Sequence, residues 1–145
     1  MKAKQWVMVF AITCGLFSGG CATTQSSHFS PGRESDLAAI NAVEVGEFMC
    51  SDPAVGLSVR DTVIEMLLPA GIRIVESDGD AVITGTVTMR SGSISAGITA
   101  QIMLDGEVVA ATSAKQRNFK HWSPSPNTQT LARKIGSDLR KMLQR

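Results

Sequence analysis

Apolar and polar residues alternate along the middle of the chain. In the stretch AVITGTVTM, residues 81–89, apolar residues occupy nearly every odd position, and threonines occupy most of the even ones. In SISAGITAQIML, residues 93–104, six apolar residues stand at every second position from Ile94 to Leu104. Side chains of a strand point alternately to the two faces of a sheet. Both stretches therefore predict strands that bury one face.

A hairpin follows these strands. Asp105 and Gly106 form an Asp-Gly pair, the residue pair that most favours a two-residue hairpin turn. Residues 94–104 should therefore pair antiparallel with residues 107–113. The three strands form a meander whose apolar face needs to be covered.

Two segments have the spacing of amphipathic helices that could cover this face. Residues 58–68 place four apolar residues at helical spacing, with Ser58 positioned to cap the start and with Pro69 and Gly71 to end the helix. Residues 128–143 carry an apolar stripe opposite most of their basic residues. The apolar residues of the two segments are Val59, Val63, Ile64 and Leu67, and Leu131, Ile135, Leu139, Met142 and Leu143.

Two further strands complete the predicted fold. INAVEVGEF, beginning at Ile40, and IRIVES, residues 72–77, are rich in β-branched residues, and SDGD then predicts a turn. We interpret residues 39–145 as one α+β domain, a two-layer sandwich with the order β-α-β-β-β-α. Its sheet should be mainly antiparallel, with both helices on one face.

The first twenty residues have the layout of a secretory signal. Lys2 and Lys4 precede an apolar run of about 12 residues, which is shorter than the roughly 20 residues that a helix needs to cross a bilayer. Small residues follow at positions 18–20, directly before Cys21. Residues 1–20 are therefore predicted to be a signal peptide.

Cys21 is the predicted site of lipidation. The sequence SGGC resembles the lipobox of bacterial lipoproteins, although Ser18 stands where that motif usually has an aliphatic residue. Because Ala22 rather than Asp follows, the resemblance implies sorting to the outer membrane, with the acylated protein on its periplasmic face. The alternative is an ordinary signal peptide cleaved elsewhere.

Residues 21–38 are predicted to be a flexible tether between the lipid and the domain. They are small and polar, with a Pro-Gly turn, and have little apolar surface with which to fold. Cys50 would then be an unpaired thiol, expected to be buried or half-buried. If Cys21 were not lipidated, a disulfide between Cys21 and Cys50 would be the alternative in an oxidising compartment.

The net charge of +1 hides two oppositely charged segments. Residues 22–114 hold four basic and twelve acidic residues, a net charge of −8, whereas residues 115–145 hold eight basic residues and one acid, Asp138, a net charge of +7. Such a chain can associate head to tail with copies of itself. Homo-oligomers, or complexes with another envelope protein, are the expected partners.

Little in the sequence indicates catalysis. The only histidines are His28 and His121, no catalytic or phosphate-binding motif is present, and SDGD supplies too few oxygens for a calcium site. We therefore expect no enzyme activity, no cofactor and no metal. Nucleic acid is not an expected partner in this compartment.

One basic and aromatic segment could contact a lipid headgroup layer or an anionic polymer. The alternative is that its aromatic residues fill the edge of the core and its charges are simply solvated. The residues of this segment are Lys115, Arg117, Phe119, Lys120 and Trp122.

Residues 56–87, GLSVRDTVIEMLLPAGIRIVESDGDAVITGTV, resemble the curli secretion lipoprotein (CsgG) family and the N-terminal domain of TolB. The matching positions are Leu67, Gly71, Ile74 and Val75, and then Asp80 to Gly85 with Val87. The chain is too short to hold the transmembrane hairpins of the curli channel. The resemblance therefore implies a small ring-forming relative such as PelC, an accessory lipoprotein of polysaccharide export.

The element order is also similar to that of the LPS-assembly lipoprotein LptE, through SDPAVGLSVRDTVIEMLLPAGIRIV, residues 51–75. That resemblance implies a plug inside an outer-membrane barrel. Taken together, the sequence predicts a non-enzymatic outer-membrane lipoprotein that is an accessory or an oligomeric subunit of an envelope export or assembly system. It does not identify the exported substrate.

Overall fold

The computed structural model describes residues 22–90, 95–117 and 125–144. In these ranges the chain forms six strands, three helices and a short 3₁₀ turn at Leu68–Ala70. The strands are β1 Ala22–Phe29, β2 Ala42–Met49, β3 Arg73–Val75, β4 Ala81–Arg90, β5 Ser95–Leu104 and β6 Glu107–Arg117. The helices are α1 Glu34–Leu37, α2 Pro53–Leu67 and α3 Ser125–Leu143.

The described strands form one sheet in the order β1-β6-β5-β4-β2-β3. The meander of β4, β5 and β6 is confirmed, with Ile83 opposite Ile102 and Ile102 opposite Ala110. At the predicted turn, Asp105 and Gly106 have φ of 51° and 82°. Two successive positive φ angles are those of a type I′ turn, whose twist matches that of the strands it joins.

The sheet is mixed, with antiparallel pairing among β1, β6, β5 and β4. β2 runs parallel to both β3 and β4, because α2 carries the chain back to the start of the sheet before β3 begins. The sequence predicts five separate strands, one more than the order β-α-β-β-β-α counts. The structure has a sixth in its described residues, because β1 joins the sheet.

α2 and α3 pack against each other and against the sheet, so the predicted two-layer α+β sandwich is confirmed. Val59, Val63 and Leu67 of α2 are buried, as are all five predicted apolar residues of α3. Ile64 is half-buried at the edge of the core. The core therefore lies between the two helices and one face of the sheet.

The predicted start of α2 at Ser58 is wrong. The helix begins at Pro53, and the side chain of Asp52 caps it by accepting a hydrogen bond from the Ala54 N–H at 3.0 Å. Proline fits the first turn of a helix because its missing N–H has no partner there. The predicted end is confirmed: after the 3₁₀ turn, Gly71 has the left-handed φ of 73°.

The predicted tether over residues 21–38 is wrong for most of its described part. Residues 22–29 form β1, which pairs antiparallel with β6 from Ala22 opposite Arg117 to Phe29 opposite Ala110. β1 is stable with little apolar surface because its polar side chains form hydrogen bonds with other elements of the fold. The Asp138 carboxylate on α3 accepts hydrogen bonds from Gln25 and, at 3.4 Å, from Ser27. The predicted signal peptide and Cys21 lie outside the described residues.

Candidate interaction surfaces

The two ends of the sheet carry opposite charge. β4 and β6 end where β1 and β5 begin, and the register aligns Ala22, Arg117, Ser95 and Arg90 in one row across these four strands. Lys115 lies two rows further in, on the same face of the sheet as Arg117. We call this the basic end.

Carboxylates gather at the opposite end, which we call the acidic end. Asp80, Asp105 and Glu107 lie there, beside the starts of β4 and β6. Arg33 bridges Glu107 at 2.8 Å and Asp36 at 2.5 Å, and its pKa is raised mainly by the hydrogen bond to Asp36. The backbone N–H groups of Asn41 and Ala42 donate to Asp80, each at 2.9 Å, and lower its pKa.

The open face is the face of the sheet that faces away from α2 and α3, and it is polar over the half nearest the basic end. Its central row runs from Ser26 through Ser113 and Thr99 to Thr86, with the Oγ atoms of Ser26 and Ser113 2.8 Å apart. The four strand segments that form its basic half contain no Asp or Glu. These segments are residues 22–28, 84–90, 95–101 and 111–117.

A depression of about 290 Å³ on the open face, near the basic end, is centred on Gly97; we call it the Gly97 hollow. Gly97 lies between Thr88 on β4 and Lys115 on β6. Because glycine has no side chain, the floor of the hollow is backbone. Its polar lining comprises Thr88, Arg90, Ser95, Thr99, Ser113 and Lys115.

Only two residues of the predicted basic and aromatic segment lie in the described part of the chain. Lys115 and Arg117 are exposed on the open face, and Phe119, Lys120, Trp122 and His121 lie outside the described residues. Sequence reasoning missed Arg90. It continues the alternation of β4 by one step beyond the stretch recognised as a strand, so the same period would have placed it on the polar face.

An acidic groove of about 420 Å³ lies between β2 and α2. Its carboxylates are those of Glu44, Glu47 and Glu76, and Arg60 is the basic residue of its lining. β3 pairs only with Ala42–Glu44, so the edge of β2 is uncovered beyond that point. There the Arg60 Nε donates to the Val45 carbonyl at 2.9 Å, which occupies an acceptor that another strand would need.

Cys50 lines this groove as a half-buried free thiol, as the sequence predicts. β1 and β2 are separated in the sheet by β6, β5 and β4. Four inter-strand spacings amount to about 19 Å, several times the Cα separation that a disulfide bridges. A bond from Cys21 to Cys50 would therefore require β1 to leave the sheet.

α3 presents a basic surface on its outer side. A broad shallow depression there is lined by Arg133, Lys134 and their polar neighbours. Arg133 is exposed and Lys134 half-buried. Because α3 packs over β5 and β6, this surface lies towards the β1 side of the sheet, away from the acidic groove.

Within residues 22–90, 95–117 and 125–144, no three His, Cys, Asp or Glu side chains come together in an arrangement that could ligate a metal ion. None of the helices in these ranges is both long and apolar enough to cross a bilayer.

No protein-family model matches this chain, and no curated protein matches it. Solved structures do match. The dodecameric PelC from Paraburkholderia phytofirmans superposes with a TM-score of 0.61 at 20% sequence identity, and its L103M variant does so at 22%. The chain is similar to PelC in fold. In both cases the match covers 82% of this chain and 98% of the PelC chain.

A second similarity concerns part of a larger protein. A PDZ domain protein from Parabacteroides distasonis matches with a TM-score of 0.62 at 6% identity. The match covers 81% of this chain but only 36% of that protein. The domain architecture thus occurs both alone, as in PelC, and within a longer chain.

Proposed function

We propose that the protein is a non-enzymatic lipoprotein of the outer membrane, acylated at Cys21, that acts as an oligomeric subunit of an envelope export system. The observation that carries this proposal is the match to PelC, a dodecamer, over 98% of the PelC chain. At this level of identity the match supports the fold, and the assembly has to be argued from this chain's own surfaces.

Those surfaces are complementary across the width of the sheet. The acidic groove lies on the β2 and β3 side, and the basic surface of α3 lies towards the β1 side. A contact between the groove of one copy and α3 of the next would be heterologous, and heterologous contacts that close form rings. Each subunit would use both surfaces, so no surface is left over in a closed ring.

The sheet edges favour the same arrangement. β3 is only three residues long and Arg60 covers part of the neighbouring edge of β2, so this side resists strand addition. The contact is therefore expected to be made by side chains of opposite charge rather than by a continuous sheet. Such contacts strengthen at low ionic strength.

Residues 22–145 contain every described strand and helix and all the buried residues of the core. This fragment should sediment as an oligomer in low salt and dissociate towards the monomer as salt is raised. A monomer at low ionic strength would contradict the proposal.

Charge reversal gives a sharper test. We expect the pair Glu44→Lys with Glu47→Lys, and separately the pair Arg133→Glu with Lys134→Glu, each to leave the fragment monomeric. Mixing the two variants should restore assembly, because each then offers the surface that the other requires. Glu34→Lys is the matched control, since Glu34 is exposed on α1 away from both surfaces. Failure of the mixture to assemble would exclude a groove-to-α3 contact.

Lipidation is tested on the full chain produced in bacteria. Mass spectrometry of the N-terminal peptide should find an acylated Cys21, and globomycin, which inhibits lipoprotein signal peptidase, should block maturation. Cys21→Ser should release the protein from the membrane fraction. An unmodified sulfur at position 21 would overturn this part of the proposal.

A further inference from the structure

The Gly97 hollow lies at the end of the molecule where the chain leaves the described fold towards Cys21. Ala22 is paired with Arg117, and Arg117 with Ser95, at the rim of the hollow. If Cys21 carries the lipid, as proposed above, the basic end is the end nearest the bilayer. The acidic end is then directed away from it, so the charge of the fold favours this orientation beside an anionic surface.

The chemistry of the hollow fits a phosphate group. Arg90 and Lys115 supply charge from two sides, and hydroxyls surround the floor. Charged donors and hydroxyls together are the groups that bind phosphate oxygens, with Arg able to make two parallel hydrogen bonds. The four strand segments of this half contain no Asp or Glu, and Glu47 of β2 lines a separate, neighbouring depression of the open face, so no carboxylate lines the hollow itself.

The missing side chain of Gly97 leaves the space that a phosphate group would occupy in the hollow. A Cβ atom at this position would lie 3.0 Å from Thr88 Oγ1 and 3.9 Å from Lys115 Cγ. Any side chain at position 97 would therefore occupy the space between the Thr88 hydroxyl on β4 and the aliphatic part of the Lys115 side chain on β6. Thr88 itself is turned towards this backbone, with its Oγ1 3.4 Å from the Gly97 carbonyl.

We propose that the Gly97 hollow binds the phosphate of an anionic phospholipid headgroup, held between Arg90 and Lys115. The inference rests on the proposed anchoring at Cys21, which brings this end of the sheet to the membrane. The phospholipid would act as a second contact beside the acyl chains and would set the rotation of the domain on the bilayer.

Binding of the fragment 22–145 to vesicles tests the site. The probes are vesicles of pure phosphatidylcholine and vesicles containing phosphatidylglycerol. The double variant Arg90→Gln with Lys115→Gln should bind the phosphatidylglycerol vesicles about 30-fold more weakly, since each basic residue near an anionic surface contributes a factor of about five. Gly97→Val keeps both charges and should also weaken binding, because its side chain fills the hollow.

The matched control is Arg73→Gln with Lys141→Gln, which removes the same charge from two exposed residues outside the hollow, the acidic groove and the basic surface of α3. It should change vesicle binding by less than about threefold if the hollow is a site. An equal loss of vesicle binding in the control would show that the effect is non-specific electrostatic attraction, and it would overturn the proposal. Circular dichroism checks that each variant is folded. If Gly97→Val does not fold, the Arg90 and Lys115 double variant still decides the test.

Inorganic phosphate distinguishes the source of the ligand. It should compete with phosphatidylglycerol vesicles more effectively than chloride at equal ionic strength. Tight binding of free phosphate without binding to vesicles would overturn the assignment to a lipid. The Arg90 and Lys115 double variant should still sediment as an oligomer, because it leaves the acidic groove and α3 intact. A loss of vesicle binding in this variant is thereby distinguished from a loss of assembly.

Discussion

Thr112 on β6 donates a hydrogen bond to the Asp138 carboxylate on α3, with 3.0 Å between the two oxygens. The same carboxylate oxygen also accepts from Gln25 and Ser27 on β1. A single acid, the only one in the basic C-terminal segment, therefore joins the edge strand, its neighbour and the helix above them. This cluster explains why a polar N-terminal stretch adopts regular structure.

Replacing this acid should loosen β1. Asp138→Ala leaves Thr112, which is 1% exposed, without its carboxylate partner, and we expect a loss of about 1–3 kcal/mol in the free energy of unfolding. Chemical denaturation measures the loss. Hydrogen exchange should localise it, with faster exchange for the amides of residues 22–29. Ser137→Ala is the control on the same helix, and unchanged protection of β1 in Asp138→Ala would contradict the role assigned to the cluster.

Gly85 on β4 makes room for the ring of Phe48. The pairing of β2 with β4 shifts between Val45 and Phe48, and this irregularity places the buried Phe48 ring over Gly85. A Cβ atom at Gly85 would lie 2.6 Å from the Thr99 carbonyl oxygen and closer still to the ring. Gly85→Ala should therefore reduce the free energy of unfolding by about 1–3 kcal/mol.

Urea denaturation measures this effect. Thr84→Ala, one residue earlier on β4 and on the open face, is the matched control and should change the midpoint little. Equal midpoints for Gly85→Ala and the unchanged protein would show that the ring moves aside at no cost.

Asp80 should make stability depend on pH. The Asn41 and Ala42 N–H groups bond its charged form and lower its pKa in the folded protein below its unfolded value of about 3.9. A group whose pKa is lowered on folding stabilises the fold above its unfolded pKa, and this stabilisation is lost as the pH falls through the folded pKa. The thermal midpoint of Asp80→Asn should therefore lie below that of the unchanged protein at pH 7, and the difference should shrink as the pH falls below about 4. A difference that stays constant from pH 7 to pH 2 would exclude this linkage.

Trp122 reports on the proposed membrane contact without any substitution, because it is the only tryptophan in residues 22–145. If the segment that contains it enters the headgroup layer, adding phosphatidylglycerol vesicles should shift its fluorescence to the blue. Phosphatidylcholine vesicles are the control. Blue emission before vesicles are added, and no shift afterwards, would favour the alternative that Trp122 packs at the edge of the core.

The sequence predicts the parts of the fold whose signal lies in a local period. The alternation along β4 and β5 and the Asp-Gly turn identify the meander, and helical spacing identifies both long helices. Each of these patterns is a direct consequence of which face is buried. The C-terminal apolar stripe from Leu131 to Leu143 is completely buried for the same reason.

β1 could not be predicted in this way. Its residues are paired with partners more than 80 positions away, and the hydrogen bonds from Gln25 and Ser27 to Asp138 span more than 110. Such partners stabilise a strand without leaving any local apolar pattern. The same holds for the Gly97 hollow, since Arg90 and Lys115 approach it only through the register of β4, β5 and β6.

β1 begins at Ala22, the residue directly after the proposed point of acylation. Adjacent Cα atoms are about 3.8 Å apart, so no slack chain separates the lipid from the sheet. If Cys21 is acylated as proposed, a domain held this closely cannot diffuse through the periplasm in search of a partner. Its partner would then have to come to the inner leaflet of the outer membrane, where each copy of the domain would already face a defined direction.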